Sequence, residues 1–274
     1  MPELAEVEFY RQRWHQAACH RPVIAVHTHD GNKLFRHAPA DKLRQAITGQ
    51  RMKSSFTSAK QMLFRFGTDC WLGIHLGMSG ELRVEAAHHQ PARHDHLTLR
   101  TRFHTLVFSD PRMFGKIEFH QGKQAPGWWT RIAPAILSQE FTIEQVAAFL
   151  LRRARAPIKA VLLMQERFPG IGNWMADEIL WRAGIHPRRL AGSLEAGEIR
   201  TLWRECRTVC RMALRTIAGQ GGHLPPDLNV NIPDTWLFNH RWQDNGCCPR
   251  TRCRLVREII AGRTTCWAPD RQKP

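Results

Sequence analysis

Hydrophobic and polar residues alternate with a period of two in the first half of the chain. Between residues 72 and 78 every second residue is apolar, with glycine and histidine between them, and this pattern predicts a strand. Residues 97–99 and 105–108 are further strand candidates, and Ser109-Asp110-Pro111-Arg112 predicts a turn after them. A helix is predicted earlier, over the apolar positions Val7, Tyr10 and Trp14. The first half is therefore predicted to be mainly β structure that follows one helix.

The second half is predicted to be helical. Helices are expected over residues 143–154, 159–166 and 174–183, the last with Asn173 as its N-cap. A fourth helix, capped by Ser193, carries two stripes of residues at helical spacing. One stripe is apolar and predicted to be buried: Ile199, Leu202, Cys206, Val209 and Ala213. The other is basic, and is either a solvated face or a phosphate-binding face: Arg200, Arg204, Arg207, Arg211 and Arg215.

The tail of the chain is predicted to be a β-hairpin, with a turn at Ala261-Gly262-Arg263. Its two strands are expected at residues 255–260 and 264–267. Glycine-rich residues 219–222 are expected to close the preceding helix, and a Pro/Gly-containing segment marks an interdomain linker. The predicted division is a domain at residues 1–125, a linker at 126–142, a helical domain at 143–222 and a hairpin finger at 236–274.

The chain is strongly basic, which points to a polyanionic partner. It has 274 residues, with 40 Lys and Arg against 24 Asp and Glu and a formal net charge of +16. Nucleic acids and anionic membrane surfaces are the usual partners of such proteins. The sequence has no run of about 18 apolar residues of the kind that spans a membrane, and its charged start is unlike a signal peptide. We therefore expect an intracellular protein, cytoplasmic or associated with the nucleoid, whose eight cysteines stay reduced.

The N-terminal residues Met1-Pro2-Glu3 suggest nucleophilic chemistry. Removal of Met1 would leave Pro2 with a secondary amine, and α-amino groups titrate at about pH 8. Such an amine is partly unprotonated at neutral pH and can form an iminium ion with an aldehyde-type carbon. Glu3 follows directly and can serve as a general acid or base. The alternative is structural, because proline is also common in the first turn of a helix.

Five short patches occur in one order along the chain. They are Pro2-Glu3-Leu4-x-Glu6-Val7, His75-Leu76-Gly77-Met78-Ser79-Gly80, Asp110-Pro111-Arg112-x-Phe114-Gly115, Gly170-Ile171-Gly172-Asn173 with Ala176-Asp177-Glu178, and Gly184-Ile185-His186-Pro187. Together they resemble the formamidopyrimidine-DNA glycosylase / endonuclease VIII family from residue 2 to residue 272. The resemblance implies an α+β fold: an N-terminal β-sandwich with a leading helix, a helix–two-turn–helix domain and a C-terminal β-hairpin finger, with DNA in the cleft between them.

The resemblance also implies catalytic roles for four residues. Pro2 resembles the nucleophile that attacks C1′ of the damaged nucleotide, and Glu3 resembles the proton donor and acceptor at the deoxyribose. Glu6 matches a second acidic residue that positions the amine. Lys60 resembles a strand lysine near the phosphate and sugar, and it begins a face that is otherwise apolar. Lys53 is the rival assignment.

Further residues resemble the family's DNA contacts. Met78, Arg112 and Phe114 match the side chains that fill the space left by an everted base. A thioether and a ring can restack the gap, and a guanidinium can pair with the orphaned base. The alternative for Met78 is an ordinary core methionine. The residues that resemble phosphate contacts are Asn173 and Arg263, together with His75 and Lys159.

The hairpin departs from the zinc finger of typical members. Those members hold zinc with two Cys-x2-Cys pairs, but Ala268 and Arg271 stand where the last two ligands belong. We therefore expect no metal and no cofactor, as in the zincless fingers of plant-type members. The alternative is a rearranged zinc site formed by Cys248, Cys253 and Cys266.

The predicted function is that of a bifunctional DNA glycosylase and AP lyase of base excision repair. It would excise oxidised bases, formamidopyrimidines above all, through a Pro2 iminium and β,δ-elimination. The short segment between Gly222 and Trp236 disfavours efficient excision of 8-oxoguanine. The alternatives are an endonuclease VIII-like enzyme for oxidised pyrimidines, a catalytically silent damage-binding protein, and a general RNA- or membrane-binding basic protein. The expected partner is double-stranded damaged DNA, bound by a monomer.

Overall fold

The computed structural model describes residues 2–29, 33–219 and 223–273. They form two compact units, one made of Met1–Ile132 with Ala218–Leu224 and the other of Ala133–Ile217 with Pro225–Pro274. The division after Ile132 falls inside the predicted linker at 126–142. The return of Ala218–Leu224 to the first unit was not predicted, because that segment had been assigned to the end of the helical domain.

The first unit is an α+β domain built on two four-stranded antiparallel sheets. One sheet has the strand order β1-β6-β7-β5 and the other β2-β3-β4-β8. The elements are α1 (Leu4–Ala18), β1 (Ala25–Thr28), α2 (Ala40–Ile47), β2 (Met52–Ser58), β3 (Gln61–Phe66), β4 (Cys70–His75), β5 (Glu81–Ala86), β6 (Asp95–Arg100), β7 (His104–Ser109), β8 (Lys116–Gln121) and α3 (Gly127–Thr130). The predicted β-sandwich with a leading helix is confirmed.

Helix α1 is held against both sheets by Trp14, which is fully buried. The indole Nε1–H donates to the carbonyl of Arg83 in β5 at 3.0 Å. Its ring lies 5.2 Å from the Phe64 ring in β3. Burying a side chain of this kind stabilises the fold by roughly 2–3 kcal/mol. Helix α1 is therefore anchored to strands of both sheets through a residue in its C-terminal half.

The strand predicted over residues 72–78 ends early, at His75. Leu76 to Gly80 form a turn instead, in which the Gly80 N–H donates to the Leu76 carbonyl at 2.9 Å. Gly77 has a left-handed φ of +65°, which favours glycine and breaks the strand. The alternation of apolar residues continues to Met78 in the sequence, but the strand does not. The prediction was therefore wrong beyond His75.

The second unit contains four longer helices and a hairpin. Its elements are α4 (Ile143–Arg152), α5 (Ile158–Leu162), α6 (Asn173–Ala183), α7 (Ala196–Ile217), β9 (Val256–Ile260) and β10 (Arg263–Trp267). Ala261 and Gly262 both have positive φ, 48° and 74°, as a two-residue hairpin turn with primed geometry requires. The helical domain and the hairpin finger are thus confirmed, and the strand bounds differ from the prediction by one residue.

The predicted helix starts need two corrections. Gly172, not Asn173, is the N-cap of α6. Helix α7 begins at Ala196 because Ser193 belongs to a short 3-10 turn. The Glu195 N–H donates to the Glu198 carboxylate at 2.9 Å. The sequence pattern alone does not show which backbone N–H group this carboxylate binds.

The two stripes of α7 differ in burial. The predicted apolar stripe is buried except for the half-buried Ile199. In the basic stripe, Arg207 donates to the carbonyls of Ile136 and Ser138, each at 2.9 Å, while its other four members are exposed. Of the glycine-rich segment predicted to close this helix, residues 220–222 lie outside the described residues. Within the described parts of the chain, no helix combines the length and apolar character needed to cross a membrane.

Gly77 gives a direct test of the turn after β4. A Cβ at this position would lie 2.3 Å from the Phe114 carbonyl carbon and 2.5 Å from the Gly115 nitrogen. Because φ is also left-handed, Gly77→Ala should destabilise the protein by roughly 2 kcal/mol or more, seen as a lower Tm. Gly197→Ala is the control, since a Cβ there meets nothing within 4 Å. Equal Tm values for both variants would contradict the described turn.

Candidate functional site

Two carboxylates lie at the start of α1, beside Pro2. Glu3 is the N-cap residue and Glu6 lies in the first turn, and both side chains are almost fully buried. The Glu3 backbone N–H donates to the Glu6 carboxylate at 3.2 Å, one half of a capping box. The positive end of a helix dipole stabilises negative charge at this position. Pro2, Glu3 and Glu6 are therefore brought together as the sequence predicted.

Lys60 lies in a turn rather than in a strand. Ala59 and Lys60 connect β2 to β3, and Ala59 has a φ of +55°. The argument that Lys60 shares a strand face with the apolar residues of β3 was therefore wrong. Lys60 is nevertheless buried, with 9% of its surface exposed. Lys53, in contrast, is exposed beside a bulge in β2. The two candidate lysines therefore differ in burial, and their roles remain a prediction.

His75 lies across the sheet from this turn, because Gln61 and His75 are partners in the pairing of β3 with β4. Burial, then the charges of Lys60 and Lys116, lower the pKa of His75 below its usual value of 6.5. The Nδ1 atom accepts a hydrogen bond from the Gly77 N–H at 3.0 Å. A lowered pKa favours the neutral ring at pH 7, so the remaining proton is on Nε2. His75 can therefore offer one N–H donor without carrying a charge.

Asp110 ties two turns together, and its role was not predicted. Its fully buried carboxylate accepts from the Ser79 hydroxyl at 2.6 Å, from the Gly115 N–H at 2.7 Å and from the Arg112 N–H at 3.3 Å. The turn after β4 and the turn between β7 and β8 are thereby fixed side by side. The Asp110-Pro111 pair predicted a turn, but the sequence did not show that Asp110 would bind Ser79 in the other turn.

These two turns present three side chains to solvent. Met78 is 37% exposed and Phe114 is 51% exposed. Arg112 is also exposed, with its guanidinium carbon 4.9 Å from the Phe114 ring centre. Met78 is thus not a core methionine, which excludes that alternative. Sequence reasoning missed Met113, which is 38% exposed and has a left-handed φ of 52°.

In the second unit, the Asn173 side chain contacts the backbone of the residue that follows Arg263. The Asn173 side-chain N–H donates to the carbonyl of Thr264 at 2.8 Å, the residue next to Arg263 in β10. Arg263 is exposed at the hairpin turn. The start of α6 and an exposed arginine at the hairpin turn are each suitable for contact with an anion such as a phosphate.

Lys159 does not share this surface. Its side chain has no exposed area, and its ammonium donates to the Asn173 carbonyl at 2.7 Å and to the Asp177 carboxylate. In this arrangement the ammonium cannot contact a phosphate directly. The predicted role as a phosphate contact is therefore corrected to a buried support beneath Asn173.

Comparisons with known proteins give matches along the whole chain. Residues 1–117 match the family described as "Formamidopyrimidine-DNA glycosylase N-terminal domain", and residues 132–222 match "Formamidopyrimidine-DNA glycosylase H2TH domain". A formamidopyrimidine-DNA glycosylase of Roseiflexus sp. (strain RS-1) is 31% identical over 278 residues, covering 100% of both chains. That of Paracoccus denitrificans (strain Pd 1222) is 33% identical and covers 98% of this chain and 99% of its own.

The chain belongs to the formamidopyrimidine-DNA glycosylase family.

Solved structures from Lactococcus lactis have the same fold. One is formamidopyrimidine-DNA glycosylase bound non-covalently to DNA with an AP site; it has a TM-score of 0.84 and 24% identity and covers 99% of this chain and 100% of its own. Another is a variant in complex with DNA that contains Fapy-dG, with a TM-score of 0.86, 25% identity and 100% coverage of both chains.

The finger of this family member fits the zinc of typical members poorly. A structural zinc site needs four donors in a tetrahedral arrangement. In the described parts of the chain, one three-donor group lies here, with the ligand atoms of Cys248, Cys253 and Asp270 within 4.8 Å of one another. Ala268, at one missing ligand position, is fully buried in an apolar cluster with Trp181 and Leu255. The guanidinium of Arg271, at the other, lies 5.5 Å from the Trp181 ring.

The three-donor group is already satisfied without an ion. The Cys253 thiol donates to the Asp270 carboxylate at 2.7 Å. Burial, and after it this hydrogen bond, raises the pKa of the Cys253 thiol, while the same bond lowers the pKa of Asp270. Zinc ligation requires a thiolate, so the contacts favour a protonated Cys253 paired with an ionised Asp270.

Cys266, the third cysteine of the alternative zinc site, lies in the same apolar cluster as Cys248, and Cys253 packs against that cluster. Cys266 is buried there with Ala268, and burial raises the pKa of its thiol to about 12. Among the described residues, Asp270 rather than Cys266 shares a close donor group with Cys248 and Cys253, which differs from the alternative site of Cys248, Cys253 and Cys266.

These contacts predict that the purified protein holds far less than one zinc ion per chain. The apolar cluster and the Cys253–Asp270 pair replace the metal, so a chelator should leave the Tm unchanged. Elemental analysis and thermal unfolding with and without EDTA measure both quantities. Stoichiometric zinc that is lost in Cys253→Ser but kept in Cys19→Ser, the control thiol of the first unit, would contradict the prediction.

Proposed function

We propose that this protein is a DNA glycosylase of base excision repair that also cleaves the strand at the resulting abasic site. The observation that carries this proposal is the placement of Pro2 with the buried Glu3 and Glu6 at the N-terminus of α1. Family membership along the whole chain supports the same reaction class. The function needs no metal and no cofactor, because the proline amine itself serves as the electron sink.

The chemistry begins when residue 1 has been removed. The lone pair of the Pro2 nitrogen forms a bond to C1′, and the glycosidic bond breaks with its electron pair leaving on the base. The nitrogen loses its proton, and the C1′–O4′ bond breaks as Glu3 protonates O4′, which leaves a C1′ iminium; Glu3 later accepts a proton. The C1′ iminium then acidifies C2′, so that loss of a C2′ proton breaks the C3′–O bond and a further elimination breaks the C5′–O bond. Both strand breaks thus follow from one covalent intermediate.

The exposed side chains of the two linked turns support base eversion. Flipping a nucleotide costs a few kcal/mol of stacking and pairing. Met78 and Phe114 offer apolar surface that water solvates poorly, and Arg112 offers hydrogen-bond donors for an unpaired base. These three residues would occupy the gap while the damaged nucleotide is extrahelical. His75 and Lys60 would contact the backbone close to it.

We propose formamidopyrimidines and abasic sites in double-stranded DNA as the substrates, bound by a monomer. Lactococcus lactis relatives are described in complexes with DNA that contains an AP site or Fapy-dG, and another with DNA that contains an oxidised pyrimidine. The short segment before Trp236 argues against 8-oxoguanine as the preferred base. A panel of lesion duplexes compared by single-turnover cleavage separates these possibilities.

The nucleophile is tested by borohydride trapping on an abasic-site duplex. The processed protein should form a covalent complex, and Pro2→Gly or a form that keeps Met1 should lose most of it, because the secondary amine is gone. Intact mass establishes which N-terminus is present. Lys53→Ala is the control and should trap normally. Full trapping by protein with a blocked terminus would transfer the role to Lys60, and no trapping at all would favour a silent damage-binding protein.

The DNA contacts are tested by a salt series on lesion and lesion-free duplexes. Arg263→Ala removes a phosphate contact, so binding should weaken about equally for all duplexes and the salt slope should fall by roughly one. Met78→Ala removes a wedge instead, so single-turnover cleavage should slow while binding to undamaged duplex changes little. If Arg263→Ala left affinity and salt slope untouched, the exposed arginines of α7 would become the better phosphate contact.

A further inference from the structure

The hairpin finger is attached to helix α6 by two side chains of that helix. Asn173 and Asp177 are four residues apart and therefore lie on the same face of α6. Asn173 donates to the Thr264 carbonyl at 2.8 Å, and the Asp177 carboxylate accepts from the Cys266 N–H at 3.2 Å. Thr264 and Cys266 are two residues apart in β10, so their contacts lie on one edge of the strand. One turn of helix thus holds one edge of the hairpin.

Asp177 is the centre of a buried charge network. Its carboxylate has no exposed area and accepts from the Arg241 guanidinium at 2.6 and 3.1 Å. The Lys159 ammonium contacts its other oxygen and also donates to the Asn173 carbonyl at 2.7 Å. Four segments of the second unit therefore meet at one carboxylate: α5, α6, the residues after the 3-10 turn at 237–239, and β10.

Such a network is costly to remove from water and is well satisfied only when all its partners are present. The network around Asp177 lies where the hairpin finger contacts α6. This place is close to the position at which typical family members use zinc to order the same hairpin. In this chain the positions of two ligands hold Ala268 and Arg271, and the three-donor group is internally satisfied. A charge-assisted tie through Asp177 supplies the directional contact that an apolar cluster cannot supply.

We propose that Asp177 is a positioning residue that holds β10 against α6, so that Arg263 and Asn173 face the same DNA phosphate. This inference rests on the proposed function, because it takes DNA as the ligand. Asp177 itself is buried and does not touch DNA. Its effect reaches the phosphate through the Cys266 N–H on one side and through Lys159 and the Asn173 backbone on the other.

The neighbouring Glu178 provides a matched control. It is equally buried on the same helix, and its carboxylate accepts from Arg182 at 2.8 Å. The backbone groups of Leu237 and Phe238 also interact with this carboxylate, and burial raises its pKa. Glu178→Gln therefore reports what the loss of a buried carboxylate does to this helix without cutting the tie to β10.

The experiment is a double-mutant cycle between Asp177 and Arg263, read as Kd and salt slope on a tetrahydrofuran-containing duplex. Asp177→Asn should lower the salt slope by roughly one, as Arg263→Ala does, and Arg263→Ala should then add little in the Asp177→Asn background. In the Glu178→Gln background, Arg263→Ala should keep its full effect. All measurements are made well below the lowest Tm of the set.

The outcomes separate the inference from the function on which it rests. If wild-type protein neither binds the duplex nor traps on an abasic site, the proposed function fails. If wild-type protein shows an Arg263-dependent slope and Arg263→Ala keeps its full effect in Asp177→Asn, the positioning role of Asp177 is overturned. Should Asp177→Asn fail to fold, Arg241→Gln tests the same tie, and full Arg263 coupling in that variant would equally overturn it.

Discussion

Backbone donors in irregular segments must find partners, and in this protein buried carboxylates supply them. The functional side chains lie on turns and at helix ends, where neither a helix nor a sheet satisfies every N–H group. Glu6 accepts from the Glu3 N–H, Asp110 from N–H groups of the turn that carries Arg112, and Asp177 from the Cys266 N–H. Without these acceptors, the surfaces that present the functional groups would lose their fixed geometry.

The same constraint explains why polar burial and apolar exposure occur side by side. Asp110 is fully buried while Met78 and Phe114, on the turns that it fixes, are exposed. Exposing two large apolar side chains is unfavourable in the free protein. A rigid support beneath them keeps these side chains from collapsing onto the sheet, so that they remain available for a partner with apolar surface of its own. At the proposed functional site a charged residue is buried and apolar residues are exposed, which is the reverse of the usual pattern.

In the second unit, two kinds of contact hold the hairpin. An apolar cluster around Trp181 contains Ala268 and Cys266, and a buried charge network meets at Asp177. The apolar cluster stabilises the hairpin by burial, which is non-directional. The charge-assisted hydrogen bonds of the network are directional and fix the orientation of the hairpin. Together they account for a hairpin whose turn geometry and register are regular although its metal ligands are incomplete.

The sequence by itself determined the fold class, the helical and β halves and the hairpin, because periodicity, turn residues and ordered motifs are local properties. Ordered motifs also gave the proposed site residues Pro2, Glu3, Glu6, Met78, Arg112 and Phe114. Only the tertiary structure decided that β4 ends at His75, that Lys60 lies in a turn, and that Lys159 is buried against Asp177. Each of these depends on which distant backbone or charge comes close, such as Phe114 beside Gly77 or Asp177 beside Lys159. A one-dimensional pattern does not contain those distances.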